Sequence, residues 1–259
     1  WFGVPVIQLP EDMIRYAMLY TPSWNTVSDE NVVPQRLLDM IFNMGDPAAY
    51  AGSAAMCPEH QWIFSGAETV DSLVFNPHKW LFTPFDASAL YTRRPDLFRR
   101  AFSLVPEYLT TPVSGQVVDL MDYGVQLGRR FRALKLWWVL RCFGAEGIRT
   151  RLRSHISMAA DFADWVDAHP VFERLAPAPF SVVCFRATPP GIDDAGAIDE
   201  LNMALMERVN ASGEVYLSHT RLDPGISLRI AIGNLGTTEA DVRRCRDLLD
   251  KELACLCHR

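Results

Sequence analysis

The stretch from residue 148 to the end constrains the fold most strongly, because helical and strand patterns alternate along it. Apolar residues spaced three and four apart predict its helices, and short runs rich in β-branched residues predict its strands. The predicted elements are a long helix from 148, a strand at 181–186, a helix at 198–209, strands at 215–220 and 227–232 joined by a turn at 223–225, and a last helix capped by Thr238. This order predicts a small α+β domain over residues 151–259.

The residues before this domain form two further parts. Residues 47–150 predict strands at 72–75 and 87–92, a helix at 94–102, a loop at 110–123, and a largely buried helix at 129–143 that ends at Gly144. Residues 1–46 contain four prolines and one short predicted helix at 35–42. We expect this first part to be loosely organised.

Charge and cysteine usage limit the kinds of partner. The formal net charge is −6, whereas a protein that neutralises nucleic-acid phosphates needs a basic face. No uncharged apolar run reaches the roughly 18 residues that a membrane-spanning helix requires. Cys255 and Cys257 lack the second pair that a structural zinc site needs. We expect reduced thiols in the cytoplasm, and no metal, nucleic-acid or membrane site.

Lysine is rare in this chain, so each lysine is informative. Of the 25 Lys and Arg residues, only Lys79, Lys135 and Lys251 are lysines. Arginine stays charged and cannot replace a lysine whose amine must attack a carbon. Lys79 follows a predicted strand and lies between His78 and Trp80, and both burial and a neighbouring cation lower the pKa of an ammonium group. The local pattern therefore fits a nucleophilic amine, but it also fits a surface lysine lying over Trp80.

The residues around Lys79 also carry a family resemblance. Residues 76–80 read N-P-H-K-W, and residues 49–53 read A-Y-A-G-S. Together they resemble the group II pyridoxal-phosphate-dependent amino-acid decarboxylases, most closely the aromatic-L-amino-acid decarboxylase branch. Further matching motifs follow in family order at 85–88 (F-D-A-S), 106–109 (P-E-Y-L), 127–132 (L-G-R-R-F-R) and 228–234 (L-R-I-A-I-G-N). Several motifs in order are a more specific signal than one.

The resemblance implies roles for the matching residues. Lys79 would form an internal aldimine with pyridoxal 5'-phosphate, Asn76 would hydrogen-bond its phosphate, and His78 would support the site beside the lysine. A tyrosine of the family's mobile loop would protonate the carbanion. Tyr123 is the better candidate for that tyrosine, and Tyr108 is the other.

Three arginines near Tyr123 have two open interpretations. Arg129, Arg130 and Arg132 belong to the L-G-R-R-F-R motif. Guanidinium groups bind carboxylates and phosphates through two hydrogen bonds, so these arginines are candidates for substrate or cofactor binding. Ion pairs that hold the following helix in place are an equally good explanation.

Pattern and resemblance together imply a fold and a reaction. We expect an α/β chain, namely the later half of a fold-type-I pyridoxal-phosphate-binding large domain with a mixed sheet, followed by the small α+β C-terminal domain. The implied reaction is decarboxylation of an aromatic L-amino acid to the amine and carbon dioxide. The active sites of the family form at a dimer interface, which implies a homodimer.

The chain departs from the family pattern at the position of the acid that pairs with the pyridine nitrogen. The family reads D-A-A-Y-A-G-S, whereas here Pro47 stands at the position of that Asp and Asp46 precedes it by one residue. On a strand, a shift of one residue turns a side chain to the opposite face, although a bulge at Pro47 could aim Asp46 back. Asp46 is therefore the candidate partner of the ring nitrogen.

Residues 1–46 do not resemble the family region that supplies the phosphate cup and the ring that stacks on the cofactor. This suggests a truncated, spliced or frameshifted product with weak cofactor binding, since one amide cannot replace several converging N–H groups. The alternative to an enzyme is accordingly a non-catalytic remnant of one. A missing half would also leave apolar surface exposed on the large-domain part.

Overall fold

The computed structural model describes residues 47–103 and 118–257. The chain divides into two compact units between Arg149 and Thr150, next to the domain boundary predicted at 150–151. The predicted segment 1–46, with its helix at 35–42, and most of the predicted loop at 110–123 lie outside the described residues.

Short helices surround one pair of strands in the described part of the first unit. The α-helices are α1 (Pro47–Ala51), α2 (Pro77–Trp80) and α3 (Pro95–Phe102); four 3-10 helices cover Gly52–Met56, Pro58–Phe64, Ala67–Thr69 and Leu120–Tyr123; and the strands are β1 (Ser72–Phe75) and β2 (Ala89–Thr92). The strands pair antiparallel, with Ser72 opposite Thr92. Within the described residues of this unit, the predicted mixed sheet is represented by this antiparallel pair.

Two elements of the first unit are shorter than predicted for physical reasons. The strand predicted from 87 begins at Ala89, because both backbone groups of Ala87 are hydrogen-bonded to His78 and not to β1. The helix predicted from Arg94 begins at Pro95, whose fixed φ and missing N–H suit the first helical position.

Small residues make close packing possible in this unit. Ala49, Ala51 and Ala54 are fully buried where α1 continues into the first 3-10 helix. Gly52 lies between Ala51 and Ala54, and a Cβ added to it would lie only 3.1 Å from the ring of Phe75. The A-Y-A-G-S motif therefore packs directly against the end of β1, beside the start of α2.

Helix α4 (Arg132–Ala168) is interrupted at Gly144, whose φ of 66° and ψ of 168° are not helical. The expectation that residues 129–143 form a largely buried helix is wrong. The helix begins only at Arg132, and Phe131, Trp137 and Trp138 are 75%, 45% and 60% exposed. Ten of these fifteen residues are apolar, which is more than one packed helix face can cover. Several large apolar side chains of this part of the chain are therefore exposed. No described helix, α4 included, is long and apolar enough to cross a membrane.

The second unit contains a four-stranded antiparallel sheet with helices packed on it, as the α+β pattern predicts. The strands are β3 (Phe172–Arg174), β4 (Val182–Ala187), β5 (Ser218–Leu222) and β6 (Gly225–Ala231), and the helices are α5 (Ala195–Ala211), α6 (Glu239–Cys257) and the later part of α4. The sheet order is β3-β4-β6-β5. Its core brings together Phe162 of α4, Phe185 of β4 and Leu249 of α6, all fully buried. Strand β3 was not predicted, because three residues with one apolar side chain carry no period.

Candidate functional site

Three predicted site residues lie within one short segment after β1. Asn76 directly follows β1, and Pro77 begins α2, which carries His78 and Lys79. The Lys79 N–H donates to the carbonyl of Asn76 at 2.9 Å, which closes this turn. The Asn76 N–H donates to the carbonyl of Ala49 at 3.2 Å, so the backbone joins the two motifs that carry the resemblance.

His78 is held by a residue nine positions further along the chain. Its Nδ1 lies 2.7 Å from the carbonyl oxygen of Ala87 and 3.2 Å from the Ala87 nitrogen. The His78 backbone N–H also donates to that carbonyl, at 3.2 Å. The ring of Phe85 meets the imidazole edge to face, with centroids 5.1 Å apart. The imidazole beside Lys79 is therefore fixed in orientation.

Lys79 is exposed, whereas its neighbour Trp80 is fully buried. Of the two interpretations of the local pattern, the exposure of Lys79 agrees with a surface lysine and not with a desolvated one, because α2 turns Trp80 inward onto Tyr50 and Lys79 outward. An exposed amine is accessible to a carbonyl compound, and this is the first requirement for covalent attachment of an aldehyde.

Two buried polar atoms, one in each of the two motifs, have no hydrogen-bond partner within the described part of the chain. They are Oγ of Ser53, in a fully buried residue, and Oδ1 of Asn76. A buried polar atom without a partner costs about 1–3 kcal/mol, so such atoms often mark a place where a ligand binds. The amine of Lys79 suits an aldehyde, and the hydroxyl of Ser53 and the Nδ2 of Asn76 can donate to a phosphate, so these residues fit pyridoxal phosphate; the Oδ1 of Asn76 can only accept. Ser53 was missed as a functional candidate, since the sequence shows only that it ends a motif.

The proposed partner of the pyridine nitrogen, Asp46, lies outside the described residues. The chain is helical from Pro47 onward, so the strand geometry assumed for this position is wrong from that residue on. Successive side chains on a helix point about 100° apart, and a one-residue shift there does not place them on opposite faces.

Tyr123 lies in a different element from Lys79. It is buried, with 6% exposure, at the end of the 3-10 helix Leu120–Tyr123. Its neighbour Asp122 binds Arg99 of α3 and Ser103, both at 3.3 Å, so this short helix is fastened to the end of α3. The alternative tyrosine, Tyr108, lies outside the described residues.

The three arginines of the L-G-R-R-F-R motif contact protein groups. Arg129 donates to the carbonyl of Leu120 at 2.8 Å. The Nε of Arg132 lies 2.9 Å from Oδ2 of Asp86, and Arg130 lies 3.9 Å from the same carboxylate. The hydrogen bond from Arg132 holds the pKa of Asp86 below its usual value. The contacts of Arg130 and Arg132 with Asp86 fit the ion-pair interpretation, whereas Arg129 binds a backbone carbonyl.

The chain matches one family of known proteins over more than half of its length. The sequence profile of the family described as "Pyridoxal-dependent decarboxylase conserved domain" matches residues 44–188. The match begins just before α1, includes all of α2, and ends within the second unit. More than half of the chain is therefore covered by one family.

Two curated relatives illustrate the sequence similarity. A phenylacetaldehyde synthase of Arabidopsis thaliana is 40% identical over 241 residues, covering 90% of this chain and 49% of its own. An aromatic-L-amino-acid decarboxylase of Catharanthus roseus is 40% identical over 208 residues, covering 79% of this chain and 41% of its own. The chain thus spans about half, or less, of the length of these relatives.

Solved structures agree with the sequences. The chain superimposes on Oryza sativa TDC with PLP and tryptamine at a TM-score of 0.75 and 39% identity, over 81% of this chain and 44% of that one. Catharanthus roseus tryptophan decarboxylase in complex with L-tryptophan gives a TM-score of 0.69 and 38% identity, over 80% of this chain and 42% of that one. The predicted α/β fold of the fold-type-I pyridoxal-phosphate enzymes is confirmed.

Proposed function

Because the chain belongs to the pyridoxal-dependent decarboxylase family, we propose that it takes part in the decarboxylation of an aromatic L-amino acid to the amine and carbon dioxide, with pyridoxal phosphate bound at Lys79. The observation that carries this proposal is the exposed amine of Lys79 in the turn that follows β1, joined through Asn76 to the A-Y-A-G-S segment. Relatives named as aromatic-L-amino-acid, tryptophan and tyrosine decarboxylases support the aromatic substrate class.

The described residues supply the groups that would hold the cofactor. When bound, pyridoxal phosphate supplies a conjugated ring that accepts the electron pair left when the bond from Cα to the carboxylate breaks. Lys79 Nζ is the amine for its aldehyde, and the unpartnered buried hydroxyl of Ser53 could donate to its oxygens. Asn76 would donate to the phosphate through its Nδ2, since its Oδ1 can only accept. Asp46 is the proposed carboxylate for the ring nitrogen.

The proton-handling roles fall to His78 and Tyr123. His78, fixed by Ala87, stands beside the reactive amine and keeps one defined orientation there. Tyr123 is the proposed donor of a proton to Cα of the substrate. A positioned side chain typically accelerates such a proton transfer about 10²–10⁴-fold. Its 3-10 helix is fastened to α3, so the donor would come from an anchored element.

The exposed aromatic surface on α4 supports a homodimer. Trp137 and Trp138 are exposed near the start of this helix, and Phe131, which directly precedes the helix, is exposed as well. Large exposed apolar patches of this kind mark protein interfaces. We propose that a second copy of the chain covers this patch, in the cytoplasm, where the six unpaired cysteines remain reduced.

A product assay with matched lysine variants tests the function. The purified chain with pyridoxal phosphate is incubated in turn with tyrosine, tryptophan, dopa and phenylalanine, and both amine and aldehyde are measured, since phenylacetaldehyde synthases are among the relatives. Product from the unmodified chain and from Lys251→Arg, but not from Lys79→Arg, supports the proposal. If no substrate gives product, the non-catalytic remnant is the better description; if Lys79→Arg stays active, the site is wrong.

A further inference from the structure

Lys135, which the proposed chemistry does not use, holds the segment that positions His78. Its Nζ donates to the carbonyl of Asp86 at 2.6 Å and to the carbonyl of Pro84 at 3.1 Å. It also lies 3.9 Å from Oδ1 of Asp86, and its side chain is only 32% exposed. A primary ammonium group can donate three hydrogen bonds in different directions, which suits a cation that gathers several oxygens of one loop.

Arg132 fastens the same segment from the preceding turn of the helix. Its Nε lies 2.9 Å from Oδ2 of Asp86, and its side chain is 26% exposed. Residues 132 and 135 are three apart, so both side chains project from one face of α4. Two charge-assisted contacts from this face therefore act on Asp86, one on its carboxylate and one on its backbone.

The segment held in this way ends at the residue that contacts His78. Ala87 follows Asp86 directly, and it is buried. Its carbonyl and N–H lie within 2.7 and 3.2 Å of His78 Nδ1. A displacement of Asp86 therefore moves Ala87, and with it the hydrogen bonds that orient the imidazole next to Lys79.

We propose that Lys135, together with Arg132, is a positioning residue that acts through Asp86 and Ala87 to fix the imidazole of His78 beside Lys79. The significance of this role rests on the proposed function, because the orientation of His78 matters for chemistry only if Lys79 is the reactive amine. The structural relay itself exists without cofactor and can be tested without it.

The test is a spectroscopic one on the full chain without cofactor. Histidine is labelled with ¹⁵N, and the ring nitrogens of His78 are assigned by comparison with His78→Gln. We expect the His78 ring resonances to shift in Lys135→Met and to return toward the wild-type positions in Lys135→Arg, which keeps the charge and the donors. Lys251→Met, which removes an exposed lysine paired with Glu252, should leave them unchanged.

Unchanged His78 resonances in a folded Lys135→Met chain would overturn the proposal. If Lys135→Met does not fold, Asp86→Asn replaces it, since this change removes the ion pair with Arg132 and retains the backbone carbonyls. His78 resonances that do not move in Asp86→Asn would then count against the relay. Trapping of pyridoxal phosphate on Lys79 is measured in parallel. If the chain binds no pyridoxal phosphate but the His78 resonances shift as expected, only the proposed function is contradicted.

Discussion

The rings of Tyr50 and Trp80 stack face to face, with centroids 5.1 Å apart and planes 3° from parallel. Tyr50 belongs to α1 and Trp80 ends α2, so the contact joins the two segments that carry the family motifs. Trp80 is fully buried and directly follows Lys79. The stack therefore determines where the backbone of the proposed reactive lysine lies.

Replacing Trp80 with Ala should lower the free energy of unfolding by about 3–5 kcal/mol, because it leaves a large cavity under α2. Tyr216 is 82% exposed and lies outside the proposed dimer surface, and Tyr216→Ala should change the free energy by only about 0.5 kcal/mol. Urea unfolding followed by circular dichroism measures both. Equal losses in the two variants would show that Trp80 is not a core residue.

The six thiols should react in two groups. Cys142, Cys255 and Cys257 are exposed, whereas Cys57, Cys184 and Cys245 are buried. Burial raises the pKa of Cys184, and raises the pKa of Cys245 to about 12, and only the thiolate reacts readily. A disulfide reagent at pH 8 followed by peptide mass analysis should label the exposed group first. Labelling of Cys245 as fast as Cys255 would contradict the structure of the second unit.

Stability should fall in mild acid because of His155. Burial lowers the pKa of its imidazole below 6.5, and Arg151 lowers it further, against a backbone hydrogen bond with Asn234 that raises it. The unfolded chain then binds the proton more readily than the folded chain does. The contribution of His155 to the free energy of unfolding is therefore fully present above pH 6.5 and is lost as the pH falls through the pKa that His155 has in the folded chain. Urea unfolding between pH 7 and pH 5 should show this slope, and His155→Gln should reduce it. An identical slope in His155→Gln would assign the effect to other groups.

Tyr123→Phe separates chemistry from packing, because it removes only a hydroxyl from a buried ring. If this hydroxyl donates the proton, amine formation should fall about 100-fold. The free energy of unfolding should change by only about 1 kcal/mol, as for one hydrogen bond. Product analysis and urea unfolding on the same preparation measure both. Unchanged turnover would remove Tyr123 from the mechanism.

Most elements of the second unit could be predicted from periodicity, although the strand predicted at 215–220 lies at Ser218–Leu222. Its long helices and paired strands bury one face each, so positions such as Phe162, Phe185 and Leu249 are visible as a pattern. Strand β3 was not predicted, because three residues with one apolar side chain cannot show a period.

The first unit was less predictable, because its contacts are not periodic. The motif identified Asn76, His78 and Lys79, but their environment depends on loop contacts such as that of Ala87 with His78. The exposure of Trp137 and Trp138 could not be predicted either, since an apolar sequence predicts a buried helix whether or not a partner covers that helix. Apart from the rarity of lysine in this chain, nothing in the sequence indicates the role of Lys135, because its partners are backbone carbonyls from another part of the chain.

Reductive trapping on Lys79 tests the central claim most directly. The chain is mixed with pyridoxal phosphate, treated with borohydride, digested and sequenced by mass spectrometry, so that the three lysines are compared within one sample. We expect the pyridoxyl group on the peptide that contains Lys79, with far less on those containing Lys135 and Lys251. A label that is absent from Lys79, or spread equally over all three, would contradict the assignment of Lys79 as the cofactor lysine.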